Sequence, residues 1–371
     1  MTTAPELDIR ALNRATLARQ LLLQRREMTA ADAVTHLLGL QAQNVRPPYV
    51  ALAARLDGFE PEELSRGMAD RSIVRIVTMR STIHTHTAED CLTLRPFVQP
   101  ARERELRMFL KRMPGVDLDR LAGLARGFVE EEPRTLKEIR ELLTVEWPAA
   151  DPQALGVAAR CMLPLVQVTP RGLWRRSGQV ALTTAEHWLG RPGTDPDPST
   201  ADSVVLRYLA AFGPASVKDM QQWAGITRMK EVFQRLRPRL LTFRDATTGV
   251  ELFDLPDAPR PGPDVPAPPR FLPEFDNLLL SHADRSRFVP PATRHRNWAG
   301  NVAYCVYLHD GMLSGVWKLT EERDGSRLVI EPFTKLTARE RDALSAEGER
   351  TLRTLQAPEP YDIGFGRLMP E

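Results

Sequence analysis

Apolar residues recur along the first half of the chain at helical spacing. Val34, Leu37 and Leu38 follow the i, i+3, i+4 rhythm of an amphipathic helix, and Gln41 continues it at i+7. Three segments share one local grammar. Thr29-Ala-Ala-Asp32 leads into "AVTHLLGLQ", Thr135-Leu-Lys-Glu138 into "IRELLTVEW", and Ser216-Val-Lys-Asp219 into "MQQWAGI". Each pairs a hydroxyl cap with a carboxylate three residues on, the spacing that satisfies the free N–H groups of a helix start. Each follows an apolar helical stretch: "ATLARQLLL", "LAGLARGFVE" and "VVLRYLAAF". In the last two a further helix follows, over 154–166 and 227–236.

Strand patterns come after these helices. Residues 165–183 read as two or three short strands around Pro170-Arg171-Gly172, and 240–255 as a hairpin around Thr247-Thr248-Gly249. Three helices and a hairpin make a winged helix. The pattern predicts three tandem winged-helix repeats, the first less regular. Residues 255–273 are too proline-rich for helix or sheet and predict a semi-rigid linker. Beyond it, 301–333 predicts three strands split by Asp310-Gly311 and Asp324-Gly325 turns, then a helix from Thr337 to about Leu355. The expected architecture is α+β: winged helices over 1–115, 116–200 and 201–258, then the linker and a barrel-like β-module over 259–371.

Composition narrows the function classes. No stretch approaches the ~18–20 apolar residues that span a bilayer, and "MTTAPELDIR" lacks the pattern of a signal peptide, so a cytoplasmic protein is expected. Cys91, Cys161 and Cys305 are too few and scattered for a disulfide framework or a zinc site. Net charge is only +2, yet its 50 basic residues are 44 Arg and 6 Lys. They cluster in "RPFVQPARERELRMFLKRMPG" (95–115) and "DRSRFVPPATRHR" (284–296). Such patches suit phosphate recognition, and equally a solvated helix face.

Candidate chemistry lies in "HLLGLQAQNVRPPY" (36–49). If the helix persists, Gln43 points about 200° away from Gln41. The two amides converge only if Ala42-Gln43 is extended, and Asn44, Pro47 and Pro48 favour an ending there. Otherwise both simply close a helix. "TMRSTIHTHT" (78–87) alternates strictly, placing Arg80, Thr82, His84 and His86 on one strand face. The His pair has no Cys or clustered carboxylate to complete a metal set, so no metal or other cofactor is expected. A face bonding phosphate or base edges and a plain exposed strand both fit. No Gly-rich phosphate loop, HExxH or GxSxG motif is present.

The "GLQAQ" segment, "MRSTIHTHTAED" and "FLPEFDNLLLSHADRSRF" (271–288), in this order and with helix-turn-helix repeats, resemble the AlkZ/AlkX-like bacterial DNA glycosylases over essentially the whole chain. Gln-x-Gln resembles the self-resistance branch of genotoxin-producing Streptomyces, of hedamycin or azinomycin type; the other branch carries Gln-x-Asp. The resemblance implies a C-shaped DNA cleft and makes Gln41 and Gln43 the catalytic pair. Arg285 and Arg287 would contact phosphate or the minor groove, Arg80, Thr82, His84 and Asn277 would bind DNA along the cleft, and Asp276 with Asn277 would hold the segment in place. The implied enzyme is a monofunctional glycosylase without lyase activity. It would act as a monomer on nucleoid double-stranded DNA carrying alkylated guanine. N7 alkylation puts a positive charge on the purine, so the base leaves without a general acid. Two amide oxygens could then accept the hydrogens of a water aimed at C1′. Two competing expectations are a non-catalytic winged-helix regulator and a broader glycosylase that unhooks interstrand crosslinks.

Overall fold

A computed structural model describes residues 4–193 and 197–369. Three helices followed by an antiparallel strand pair recur along the chain. The first group is Ala30–His36, Pro47–Arg55 and Pro61–Ala69, then Ile73–Val77 paired with Ile83–Thr87. The second is Leu118–Glu131, Leu136–Glu146 and Pro152–Met162, then Leu165–Gln167 and Leu182–Thr184. The third is Pro198–Phe212, Val217–Ala224 and Lys230–Leu236, then Leu241–Asp245 and Glu251–Asp254. Helices Ala88–Phe97 and Gln99–Arg107 join the first group to the second.

In every group the segment between the first two helices pairs with the second hairpin strand. Leu40–Gln41 pairs with Thr85 and His84, Arg134 bridges Leu182, and Ala215 bridges Phe253. This shared pairing shows where each group starts. The helix capped by Thr29 opens the first group, whereas the helices capped by Thr135 and Ser216 are second in theirs. The expected equivalence of the three capped helices therefore slips by one helix in the first group. Pro47 and Pro48 likewise begin a helix rather than only ending one, because the first turn of a helix needs no donor from them.

The displaced helix, Ile9–Arg19, has another task. It buries Asn13, Arg14, Thr16 and Arg19. Arg19 grips Asp254 of the third group with two bonds of 2.6 and 2.9 Å, both side chains fully buried. Arg14 donates to Val265 O and Asn13 to Gly311 O. The proline-rich stretch is thus strapped to this helix at Pro259, Pro263 and Val265 rather than left as a free linker.

The expected boundary at 115 falls within one sheet. Arg75 and Ile76 pair with Gln167 and Val166, so the first two hairpins form one five-stranded sheet. The C-terminal strands form a second five-stranded sheet, in the order Tyr361–Phe365, Gly325–Pro332, Met312–Glu322, Cys305–His309, Arg270–Leu272. Its outermost strands do not pair with each other. The expected barrel is therefore an open sheet, with helix Ala338–Thr354 on one side. That sheet and the first helical group share one core, in which Leu37, Tyr49, Leu64, Phe271, Trp317 and Leu352 are buried. Among the described residues no helix is long and apolar enough to cross a membrane.

Candidate active site

The helix of the first group stops at His36, five residues before Gln41. Leu38 (φ 56°) and Gly39 (φ 92°) take left-handed conformations that reverse the chain. Only glycine fits at 39: a Cβ there would lie 2.3 Å from the His86 ring. Leu40–Gln41 then runs as a short strand, and Ala42 N–H donates to Ile83 O at 2.7 Å. Gln41 is thus a strand residue opposite His84, not the last position of an apolar helix stripe. Where backbone is extended, residues two apart lie on one side. Here the strand ends at the buried Gln41, and the chain bends at the exposed Gln43.

This segment is pinned from several directions. Arg75 Nη2 donates to Ala42 O at 2.9 Å, between the two glutamines. Asn277 Nδ2 donates to Gly39 O at 2.6 Å, and Asn44 Nδ2 to Glu274 Oε1 at 2.9 Å. The second Glu274 oxygen accepts from the Cys305 thiol at 3.1 Å.

Arg80 occupies the centre. Its Nη2 donates to Gln41 Oε1 at 2.8 Å and to His84 Nε2 at 3.3 Å, while Nη1 donates to Trp223 O. An arginine only donates, so the oxygen of the Gln41 amide must face it, and His84 must accept through Nε2. His84 Nδ1 accordingly carries the proton and donates to Thr82 O at 3.0 Å. Burial, with the charge of Arg80, holds the His84 pKa well below its ordinary 6.5, so the ring is neutral at physiological pH. Burial also lowers Arg80 to about 10, leaving it fully charged. Gln43 is held more loosely: its Oε1 accepts from Ile83 N–H at 3.4 Å.

The strict strand alternation expected from residue 78 does not form. Met79–Ser81 is a single turn with Arg80 (φ 52°) and Ser81 (φ 58°) left-handed, and the strand starts at Ile83. Arg80 reaches His84 by folding back from this turn, and Thr82 closes it through Oγ1 to Met79 O. Only His84 and His86 stack on the strand, with rings 5.7 Å apart. His86 is fully buried and bonds Thr78 Oγ1.

The expected cleft arginines part company. Arg285 is exposed. Arg287 is 5% exposed and donates to Pro214 O and Thr16 Oγ1, which makes it an internal tie rather than a surface cation. Its neighbour Asp219 also anchors the stretch by accepting from Ala283 N–H. Asn277 is buried too and serves the Gln-x-Gln loop rather than a ligand. In the 95–115 patch, Arg95 and Arg102 are buried on Cys161 O and Glu105, while Arg104, Arg107, Lys111 and Arg112 stay partly or fully exposed.

Arg75, Glu274 and a small hairpin, Trp298–Ala299 with Val302–Ala303, turning at Gly300, also bear on the site and were not expected from the chain's pattern. Its apolar tip stands in solvent, with Trp298 44% and Val302 59% exposed. Trp298 meets Phe275 edge-on, and a cavity of about 330 Å³ joins Val302, Glu274 and Cys305 to Arg46, beside the Gln-x-Gln exit. An aromatic and a valine flanking an Ala-Gly-Asn turn was the available signal. Among the described residues no group of His, Cys, Asp or Glu is arranged to hold a metal ion.

A family model described as "DNA glycosylase AlkZ-like" matches residues 34–354. The "Interstrand DNA cross-link repair glycosylase" of Streptomyces sahachiroi is 25% identical over 346 residues, covering 85% of this chain and 88% of that protein. The solved structure of the Streptomyces sahachiroi DNA glycosylase AlkZ is similar with a TM-score of 0.77 and 22% identity, over 96% of this chain and all of that one.

Proposed function

The chain belongs to the AlkZ-like DNA glycosylase family, and on that footing we propose that it hydrolyses the N-glycosidic bond of cationic N7-alkylguanine in duplex DNA. The observation that carries this reading is the Gln41/Gln43 pair. The two amides lie two positions apart at the end of one short strand, and among the described residues no carboxylic acid bonds to either. A site without an acid suits a base that needs none. The alkylated purine already carries the positive charge, so the C1′–N9 bond breaks with its electron pair neutralising the base. Water forms the new C1′–O bond and one proton goes to solvent. The amides hold that water and face the cationic sugar as it develops.

The three helix–hairpin groups are read as winged helices that together cradle the duplex. Exposed Arg285 and the 104–112 cations supply phosphate contacts. The exposed apolar side chains of the Trp298 hairpin would wedge beside the damaged nucleotide. Gln-x-Gln aligns the substrate with bulky adducts of hedamycin or azinomycin type and the role with self-resistance. The name of the relative carries a second reading, release of one base of an interstrand crosslink. One panel separates these: duplexes carrying N7-methyl, azinomycin-type or hedamycin-type adducts or a crosslink, scored for abasic sites. Release of a base from at least one, lost in Gln41→Ala and Gln43→Ala, is the expected result. Binding without release from every duplex would leave only a DNA-binding regulator.

A further inference from the structure

The two glutamines are not equivalent. The Gln41 carbonyl oxygen is committed to a guanidinium at 2.8 Å, and the geometry orients its amide with the oxygen inward and the N–H₂ on the other side. The Gln43 oxygen has only a long 3.4 Å bond from Ile83 N–H, and its residue is exposed. Arg80 is itself fixed. It sits on a left-handed turn, donates to Trp223 O, and is backed by Gly225, where a Cβ would lie 2.9 Å from Arg80 Cα. Neutral His84 accepts its remaining reach. Among the described residues Arg80 has no carboxylate partner.

We propose that Arg80 is a positioning residue that divides the work of the pair: Gln41 presents its amide N–H to the water oxygen, and Gln43 accepts one of that water's hydrogens. This inference rests on the reading of Gln41 and Gln43 as the catalytic pair. A water so held has one lone pair on Gln41 Nε2 and one hydrogen on Gln43 Oε1. Its second lone pair is left to attack C1′, and its second hydrogen faces solvent and departs as the proton. A hydrogen bond from a guanidinium polarises the Gln41 amide, making its oxygen a poorer acceptor and its N–H a better donor. Helix Val217–Ala224 of the third group thereby reaches the reaction through Trp223 O, without touching the nucleotide.

The test uses the full chain and an N7-methylguanine duplex, with kcat and KM measured for Gln41→Glu, Gln43→Glu, Arg80→Met, Arg80→Lys and both alanine variants. Gln41→Glu keeps an acceptor for Arg80 and loses the N–H donor, whereas Gln43→Glu keeps an acceptor. The expected kcat of Gln41→Glu is about tenfold or more below that of Gln43→Glu. Arg80→Met should lower kcat about tenfold with KM within about threefold, and Arg80→Lys should recover part of it. A Gln41→Glu enzyme as fast as Gln43→Glu, or an Arg80→Met defect confined to KM, would overturn the division of roles. Wild-type rates in both alanine variants would instead remove the catalytic pair altogether. Circular dichroism and melting temperature identify any variant lost to misfolding. For Arg80 the Lys substitution then serves as the readout, a kcat equal to wild type counting against the proposal.

Discussion

Gly39→Ala probes the hinge on which the Gln-x-Gln segment turns. Two costs add. The left-handed backbone (φ 92°) is unfavourable for any residue with a Cβ, by roughly 1–2 kcal/mol. The new methyl would also lie 2.3 Å from His86 Cε1 and 2.4 Å from Nδ1, far inside van der Waals contact. The imidazole is fully buried and held by Thr78 Oγ1 at 2.8 Å. It must therefore shift by about 1 Å and give up that bond, which costs roughly a further 1–3 kcal/mol. The expected loss is about 2–5 kcal/mol, large for one methyl group. Gly58→Ala is the internal control: φ is 67° and nothing lies within 4 Å of its would-be Cβ, so only the backbone cost applies. Urea unfolding of both variants beside wild type isolates the steric part as the difference between them. A difference under about 1 kcal/mol would refute the claim that His86 dictates glycine at 39.

Further outcomes are equally direct. His86 and His282 are held neutral by burial, with pKa values lowered to about 4 and about 3. Each binds a proton more weakly folded than unfolded, so its contribution is fully present above pH about 6.5 and is lost as pH falls towards the folded value. For His86 this amounts to about 3 kcal/mol between pH 6.5 and 4, and His86→Gln should flatten the measured stability–pH curve over that window. Arg55→Met leaves Asp276 charged and unpaired at zero exposure, with an expected loss of about 3–5 kcal/mol. Adding Asp276→Asn, which keeps the helix cap, should restore more than half of it in urea unfolding. Arg285→Gln should weaken binding to any duplex and reduce the slope of log affinity against log salt by about 1, whereas Arg287→Gln should lower the melting temperature and leave that slope alone.

Much of the fold is local and was therefore legible. Thr29, Thr135, Ser216 and Thr337 cap helices at the predicted places because a hydroxyl three residues from a free N–H acts within one turn. The Asp310-Gly311 turn and the 241–254 hairpin follow from the left-handed demands of tight turns. Gln41 and Gln43 stood out as amides where an apolar pattern ends; Gln41 closes a short strand, and Gln43 follows it with its oxygen on Ile83 N–H.

Where helices begin, where hairpins turn and which residues carry unusual chemistry can be read from the chain alone, since these depend on neighbours a few positions away. Contacts between distant segments set the rest. The helix before Gln41 stops at His36 because His86 closes on Gly39, a contact that helical periodicity over 34–41 does not contain. Arg80 joins Gln41 through a strained turn backed by Gly225, and Arg287 is drawn inside by Pro214 and Thr16. A charged side chain reads the same in sequence whether it meets water or a buried carbonyl. Only the packing of distant segments sets which, because the cost of burying the charge is met by partners far along the chain.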